Sequence, residues 1–243
     1  MSVVRGLFER AGLYVKKYDK LPYGIDWMRD CARICGRGWS PRLVFDVGAN
    51  RGQTTLALKK HWPHVTVHAF EPVSSTYATL TAAVGHMRGV HCHAIALSDQ
   101  AGVKSVPIIP NAQVNSLKPN RVASRPEAVI QELRLARLDD FCREHGIEQI
   151  DVLKTDTEGG DLDVLSGAEQ MLAKGRIRCV LSEVSFDPRD AQHTQFDAVR
   201  ALLRMHGLRM HGLYECESLI PNHAGETYCN ALFVLPRDSN GRA

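Results

Sequence analysis

The amino-acid sequence predicts an α/β fold: a mostly parallel sheet with helices on both faces and an antiparallel hairpin at one edge. Three observations predict it. From Arg42 onward, short β-branched runs alternate with helical segments, and turn residues join them. Such alternation implies parallel βαβ units and a sheet covered on both sides. The last two strand-like runs have no helix between them, which implies a hairpin.

Residues 1–41 read as a mostly helical N-terminal extension, broken at Pro22, Gly24, Gly36 and Gly38 and ending at Ser40-Pro41. Residues 42–243 form the main domain. There, Arg42–Val47 reads as a strand, Gln53–Trp62 as a helix, Val65–Phe70 as a strand, Ser74–Val84 as a helix and Val90–Leu97 as a strand. Residues 98–137 are less regular, with an edge strand over Val103–Ile109. Pro110, Pro119 and Pro126 make the remainder loop-like, including a polar stretch around Asn111 to Asn120. Leu138–His145 reads as a helix and Ile150–Lys154 as a strand. Asp161–Leu172 reads as a helix with Leu162, Leu165, Ala168 and Leu172 on one face. Arg178–Ser185, the helix Phe196–His206, and the strands Leu208–Tyr214 and Cys229–Leu235 complete the domain.

Composition bounds the function. A chain of 243 residues with 44% hydrophobic and 23% charged residues buries a core without disulfide or metal staples. The net charge of +3 gives no electrostatic case for nucleic acid. No apolar run reaches the length of a membrane span, and no secretory signal is visible, so a cytoplasmic location is expected. The seven cysteines form no Cys-x-x-Cys pair, so reduced thiols are expected rather than a zinc finger.

In open α/β sheets, ligands bind beyond the carboxyl ends of the strands. The first strand ends in Asp46-Val47-Gly48-Ala49-Asn50-Arg51-Gly52-Gln53-Thr54. Gly48 permits a tight turn and close ligand approach, and the helix that follows offers unpaired N–H groups to an anion. An ordinary strand–helix turn needs one or two glycines as well. The second strand ends in Phe70-Glu71-Pro72. A carboxylate there can accept hydrogen bonds from both hydroxyls of an adenosine ribose. The loop departs from the dinucleotide fingerprint, since Asn50 and Gln53 stand where G-x-G-x-x-G needs glycine. A ligand with an amino-acid end and an adenosine end fits better, namely S-adenosylmethionine. Ser98-Asp99 ends the third strand, either to meet adenine or simply to start a turn.

The fourth strand runs into Lys154-Thr155-Asp156-Thr157-Glu158-Gly159. Lys154, Asp156 and Glu158 share a face if the chain stays extended. Asp161 reads as a helix cap. Glu183 interrupts an apolar strand, where an unpaired carboxylate is costly. A Lys154 partner on the adjacent strand would satisfy it; a role as base or substrate ligand is the alternative.

Together, Asp46-Val47-Gly48-Ala49-Asn50-Arg51-Gly52, Phe70-Glu71-Pro72, Ala96-Leu97-Ser98-Asp99, Leu138-Asp139-Asp140 and Lys154-Thr155-Asp156-Thr157-Glu158-Gly159 resemble the FkbM family of methyltransferases over residues 42–236. One departure is Gly160-Asp161, where the family usually has Ala-Glu. The resemblance implies a class I Rossmann-like three-layer fold with a seven-stranded sheet, S-adenosylmethionine as donor, and O-methylation of sugars, glycolipids or secondary metabolites. It places Asp46, Gly48, Asn50, Gly52, Thr54, Glu71 and Pro72 at the donor, Ser98 and Asp99 at adenine, and Asp156 near the transferring methyl group.

Candidates for the base that takes the acceptor's proton are Asp156, Glu158, Glu183 and His193. His193, in the loop after the fifth strand, could equally be a solvated loop histidine. Asp156, Glu158 and Glu183 could also converge on magnesium, calcium or manganese, in competition with a Lys154 pairing; no residue is assigned as a metal ligand. The polar stretch with Asn111, Asn115, Ser116 and Lys118 suits a glycan or small-molecule acceptor, or is simply a flexible surface loop. The extension, with Tyr14, Tyr18, Leu21, Tyr23, Ile25, Trp27 and Met28, reads as a cover for the acceptor site, a homodimer contact or a packing helix pair. Base methylation of nucleic acid is disfavoured, since an Asn/Asp-Pro-Pro-aromatic motif is missing after the fourth strand. A nicotinamide oxidoreductase is disfavoured by the missing glycines. A non-catalytic binding domain remains as the alternative.

Overall fold

The computed structural model describes residues 8, 10–12, 17, 20–110, 112, 115–118, 121–217 and 228–236. Tyr14, Tyr18, Asn111, Pro119 and Asn120 lie outside the described residues.

The helices are α1 (Trp27–Cys35), α2 (Gln53–His61), α3 (Ser74–Val84), α4 (Leu138–Glu144), α5 (Asp161–Ser166), α6 (Glu169–Ala173) and α7 (Phe196–Met205). The strands are β1 (Leu43–Val47), β2 (Thr66–Phe70), β3 (Val90–His93), β4 (Ala96–Ser98), β5 (Gly102–Ile108), β6 (Val129–Arg137), β7 (Ile150–Thr155), β8 (Ile177–Ser185), β9 (Arg209–Glu217) and β10 (Tyr228–Val234). Seven strands form one sheet in the order β3-β2-β1-β7-β8-β10-β9. β10 runs antiparallel to both β8 and β9, and every other pairing in the sheet is parallel. The terminal hairpin thus closes one edge, with its second strand inserted inward.

Side-chain alternation explains the two-faced burial. Val44, Val67, Val152 and Cys179 are register partners facing one core cluster, and Phe45, Leu153 and Val180 face the other. Helix α1 packs on the first of these faces. Its i, i+4, i+8 residues Trp27, Cys31 and Cys35 are buried beside Leu58, Trp62 and Tyr214. Asp26 caps it by accepting from the Arg29 amide at 3.0 Å. No described residue of the extension lines the cavity discussed below.

Three expectations need correction. The run Val90–Leu97 is two strands in two sheets: β3 pairs with β2, and the chain then steps at Ala94-Ile95 into β4. Residues 98–137 are not mainly loop. They form a second sheet in the order β4-β6-β5. Pro107 is tolerated because β5 is its edge strand. Finally, Asp161–Leu172 is two helices that part at Gly167-Ala168, where the Gly167 carbonyl accepts from the Asp139 amide at 2.9 Å and the Ser98 carbonyl comes too close for any side chain at Gly167. The break frees the amides of Gln170 and Met171, and Asp139 accepts from both at 2.9 and 3.0 Å. The acid of the Leu138-Asp139-Asp140 motif therefore caps α6.

Candidate active site

The sheet's strand order reverses direction between β1 and β7, where a crevice opens at the carboxyl ends. Val47 is in register with Phe70 on one side and Thr155 on the other. The next residues, Gly48, Glu71 and Asp156, therefore leave the sheet at one level. They line a cavity of about 340 Å³.

Gly48 adopts a φ of 78°. A Cβ there would overlap the Asp156 carbonyl oxygen, so only glycine lets the two loops meet. The turn is fixed from below: the Gly48 and Ala49 amides donate to the Phe70 carbonyl at 3.1 and 2.9 Å, and the Asp156 amide donates to Val47 O at 3.0 Å. Asn50, also at positive φ (50°), and Thr54 line the cavity.

Glu71 is 7% exposed. Its Oε1 accepts from the Val73 amide at 2.9 Å. Burial pushes its carboxyl up to about 7, against the pull of the Val73 and Asn50 amides. Pro72 and Val73 continue the wall, and Ile95, Ala96, Leu97, Ile108 and Leu133 supply an apolar patch.

Lys154 is part of the cavity wall. Its ammonium donates to Asp156 Oδ2 at 2.9 Å and stands 3.7 Å from Asp46 Oδ1. The expected Lys154–Glu183 pairing is not formed as the primary contact, because Lys154 aligns with Leu181 and its tip is claimed by the two aspartates. Burial acts to raise the Asp156 carboxyl, and the Lys154 ammonium beside it holds it below the usual range. Asp46 lies beneath the cavity, fully buried, with its carboxyl raised by burial and Thr55 donating to it at 2.7 Å.

The chain does not stay extended after Asp156. Glu158 at φ 53° and Gly159 at φ 92° turn it, and a Cβ on Gly159 would overlap the Gln192 carbonyl. This packing brings the 186–195 loop against the turn. Ser116 donates to the Glu158 carbonyl at 2.5 Å. Glu158 and Glu183 both line the cavity. Burial first, then the charge of Asp156, pushes Glu158 to about 7 and Glu183 to about 10. Asp161 is not the cap expected: Gly160 holds the N-cap position of α5 with no side-chain cap bond, and Asp161 is the first helical residue, buried, accepting from Thr194 Oγ1 at 3.2 Å and raised to about 6 by burial and Asp156.

His193 is not a solvated loop residue. Its side chain is 8% exposed. Nδ1 lies 2.7 Å from Asp190 Oδ2, and the ring stacks on Tyr228 at 4.3 Å between centroids. Nε2 stands 4.0 Å from Glu183 Oε2.

The structure thus gathers Gly48, Asn50, Thr54, Glu71, Pro72, Asp156, Glu158 and Glu183 around one cavity. Asn115 and Ser116 join them from the polar stretch, whereas Lys118 pairs with Asp163 at 2.5 Å. Gly52 does not line the cavity; it sits against Leu80 and Val84 at the start of α2. Ser98 and Asp99 do not line it either, and bond each other at 3.1 Å. Ile95, Ala96 and Leu97 occupy the wall instead. Sequence reasoning missed Asp190 and Tyr228. Asp190 carried a usable signal, three residues before His193; Tyr228 carried none.

A family model described as the methyltransferase FkbM domain matches residues 46–210. The 31-O-demethyl-FK506 methyltransferase FkbM of Streptomyces tacrolimicus is 34% identical over 192 residues, spanning 68% of this chain and 72% of that protein. This chain belongs to the FkbM methyltransferase family. The methyltransferase sdnD of Sordaria araneosa is 31% identical over 58% of the chain and 65% of its own length. The 2-O-methyltransferase NoeI of Sinorhizobium fredii is 24% identical over 56% and 60%. Among solved structures, magnesium protoporphyrin IX methyltransferase from Synechocystis with bound S-adenosylmethionine aligns with 10% identity and a TM-score of 0.48, covering 86% of this chain and 74% of that one.

The cofactor of this FkbM-family methyltransferase is S-adenosylmethionine, and the cavity suits it. The Gly48 turn, which only glycine can make against the Asp156 carbonyl, brings the first loop to the cavity wall. Glu71 lines the same cavity, its carboxylate set by the Val73 amide at Oε1 and by the Asn50 amide. No helix among the described residues is long and apolar enough to cross a membrane. All seven cysteines are free thiols, five of them buried.

Proposed function

We propose that this chain transfers a methyl group from S-adenosylmethionine to a hydroxyl oxygen of a small molecule, such as a sugar, a glycan or glycolipid, or a natural product. The observation that carries this reading is a single cavity with a donor-binding end at Gly48 and Glu71 and an ionisable end at Glu158 and Glu183, beside His193. The O-methyl relatives named above agree with it.

When bound, S-adenosylmethionine supplies an electrophilic methyl group, so the protein's main task is alignment. Glu71 would accept from the ribose hydroxyls, the Gly48 backbone would hold the amino-acid portion, and Asp156, kept ionised by Lys154, would pair with its ammonium group. A hydroxyl acceptor is a poor nucleophile until its proton leaves, and the Glu158–Glu183–His193 end is where that proton loss is favoured. Asn115 and Ser116 hold the acceptor's polar groups. This site lies within residues 42–243, which supports reading residues 1–41 as an extension.

The test is incubation of the full chain with donor labelled in the methyl group and a panel of sugar and polyhydroxylated metabolite acceptors, with the product resolved by NMR. Label on oxygen is expected. Label on nitrogen or carbon, or no transfer by a protein that binds S-adenosylhomocysteine, would overturn the reading.

A further inference from the structure

Glu183 poses a problem that the donor site does not solve. It is 9% exposed, and its Oε2 has no hydrogen-bond partner among the described residues. That oxygen lies 4.0 Å from His193 Nε2. Glu158 lies in the same group: one donor atom from each of Glu158, Glu183 and His193 falls within 4.8 Å of the others.

Cationic side chains are scarce around these carboxyls. Lys154 is the sole cationic side chain among the described cavity-lining residues, and Asp156 and Asp46 already share it. Glu158 and Glu183 therefore face each other without a lysine or arginine. Carboxyls buried in this way either hold a proton or take a cation.

His193 is held as a ligand would be. With Nδ1 protonated, it donates to Asp190 Oδ2 at 2.7 Å, and Asp190 itself accepts the Gln192 and His193 amides at 2.8 and 3.2 Å. Tyr228 fixes the ring plane from one side. The lone pair of Nε2 is thereby aimed at Glu183. A carboxylate behind the distal nitrogen is the usual support of a metal-bound imidazole.

We propose that Glu158, Glu183 and His193 Nε2 bind one divalent first-row metal ion at the acceptor end of the cavity. The mixed oxygen and nitrogen donors suit manganese or zinc better than calcium. Metal–ligand bonds of about 2.1 Å put three donors of one ion about 3–3.6 Å apart, so donors now within 4.8 Å of one another close by about an ångström on binding. Asp156 is not a ligand; Lys154 holds it. With three protein ligands, the ion keeps open positions, which an acceptor hydroxyl oxygen can take. This deepens the hydroxyl-transfer reading and rests on it for the ion's role, while ion binding itself is independent of that reading.

The test uses the full chain stripped with EDTA and titrated with manganese chloride, following the free-ion signal by electron paramagnetic resonance. One manganese ion per chain is expected. Glu183→Gln and His193→Ala should each weaken binding by at least about tenfold, and the positioning variant Asp190→Asn by about tenfold. Circular dichroism confirms that each variant is folded; His193 sits in a loop, so H193A serves if E183Q does not fold. No binding to the wild-type protein, or unchanged binding in a folded H193A, would overturn the proposal. S-adenosylhomocysteine titrated into the same samples separates the two readings: homocysteine-compound binding without manganese binding refutes the metal site alone, and the reverse refutes the donor site alone.

Discussion

Replacing Glu71 by glutamine should make the protein more stable and a worse donor binder. Glu71 is 7% exposed, and its carboxyl is raised from 4.5 to about 7 by burial. At 1.36 kcal/mol per tenfold change in acidity, ionisation in the fold costs at most about 3 kcal/mol. The sign follows from proton binding. Between about pH 4.5 and 7 the native carboxyl holds a proton that the unfolded chain has released, so stability is lost as pH rises through this window. Below it the cost is absent, and above it the cost is complete. Glutamine carries no charge and can keep the bond from the Val73 amide. At pH 8, thermal unfolding of Glu71→Gln should therefore occur up to about 6–12 °C higher than that of the wild type, at about 2–4 °C per kcal/mol for a chain of this size. At pH 4.5 the two should nearly coincide. Calorimetric titration with S-adenosylhomocysteine at pH 8 should show the opposite trend. Losing charge-assisted bonds worth about 1.5–3 kcal/mol weakens binding roughly ten- to a hundredfold. Wild-type affinity should itself decline as pH falls below about 7. A variant that binds like the wild type, or that is less stable at pH 8, would refute Glu71 as a buried, ionised ligand of the ribose.

Gly48→Ala pays about 1–2 kcal/mol for its positive φ and must push the Asp156 carbonyl away. Donor affinity should fall at least about a hundredfold, measured by the same titration. Tyr214→Phe removes a buried bond to Asp30 Oδ2 of 2.9 Å, which ties β9 to α1. Urea unfolding should show a loss of about 2 kcal/mol, with S-adenosylhomocysteine affinity unchanged. The stacked rings of His68 and His93, 5.0 Å apart, are held neutral: burial and neighbouring histidines lower them from 6.5 to about 3 and about 4. The unfolded chain takes up those protons first, so stability should drop as pH falls from about 6.5 toward 4. His68→Leu should flatten that part of a melting-temperature profile.

Where local pattern dominated, the sequence was legible. The strands of the main sheet announce themselves by apolar runs that end in turn residues, because a parallel strand buried on both faces tolerates little polarity. The second sheet was harder. β6 alternates, with Leu133 and Leu135 buried and their neighbours more exposed, yet the prolines around it masked the pattern. The break between α5 and α6 was invisible because the helical period runs through it; the contacts at the break, Asp139 N to the Gly167 carbonyl and Ser98 O against Gly167, come from residues far away in the chain.

The site divides in the same way. Sequence alone determined which strand ends carry chemistry: a glycine after β1, a carboxylate after β2, and acids after β7. These follow from short-range turn chemistry and from the cost of placing charges beside apolar runs. Tertiary structure decided the partners. Register set Gly48, Glu71 and Asp156 at one level, gave Lys154 to Asp156 and Asp46 rather than to Glu183, and swung a distant loop inward so that Asp190 and Tyr228 hold His193 against Glu183. Such choices depend on distances of a few ångströms between residues far apart in the chain, and no local spacing encodes them.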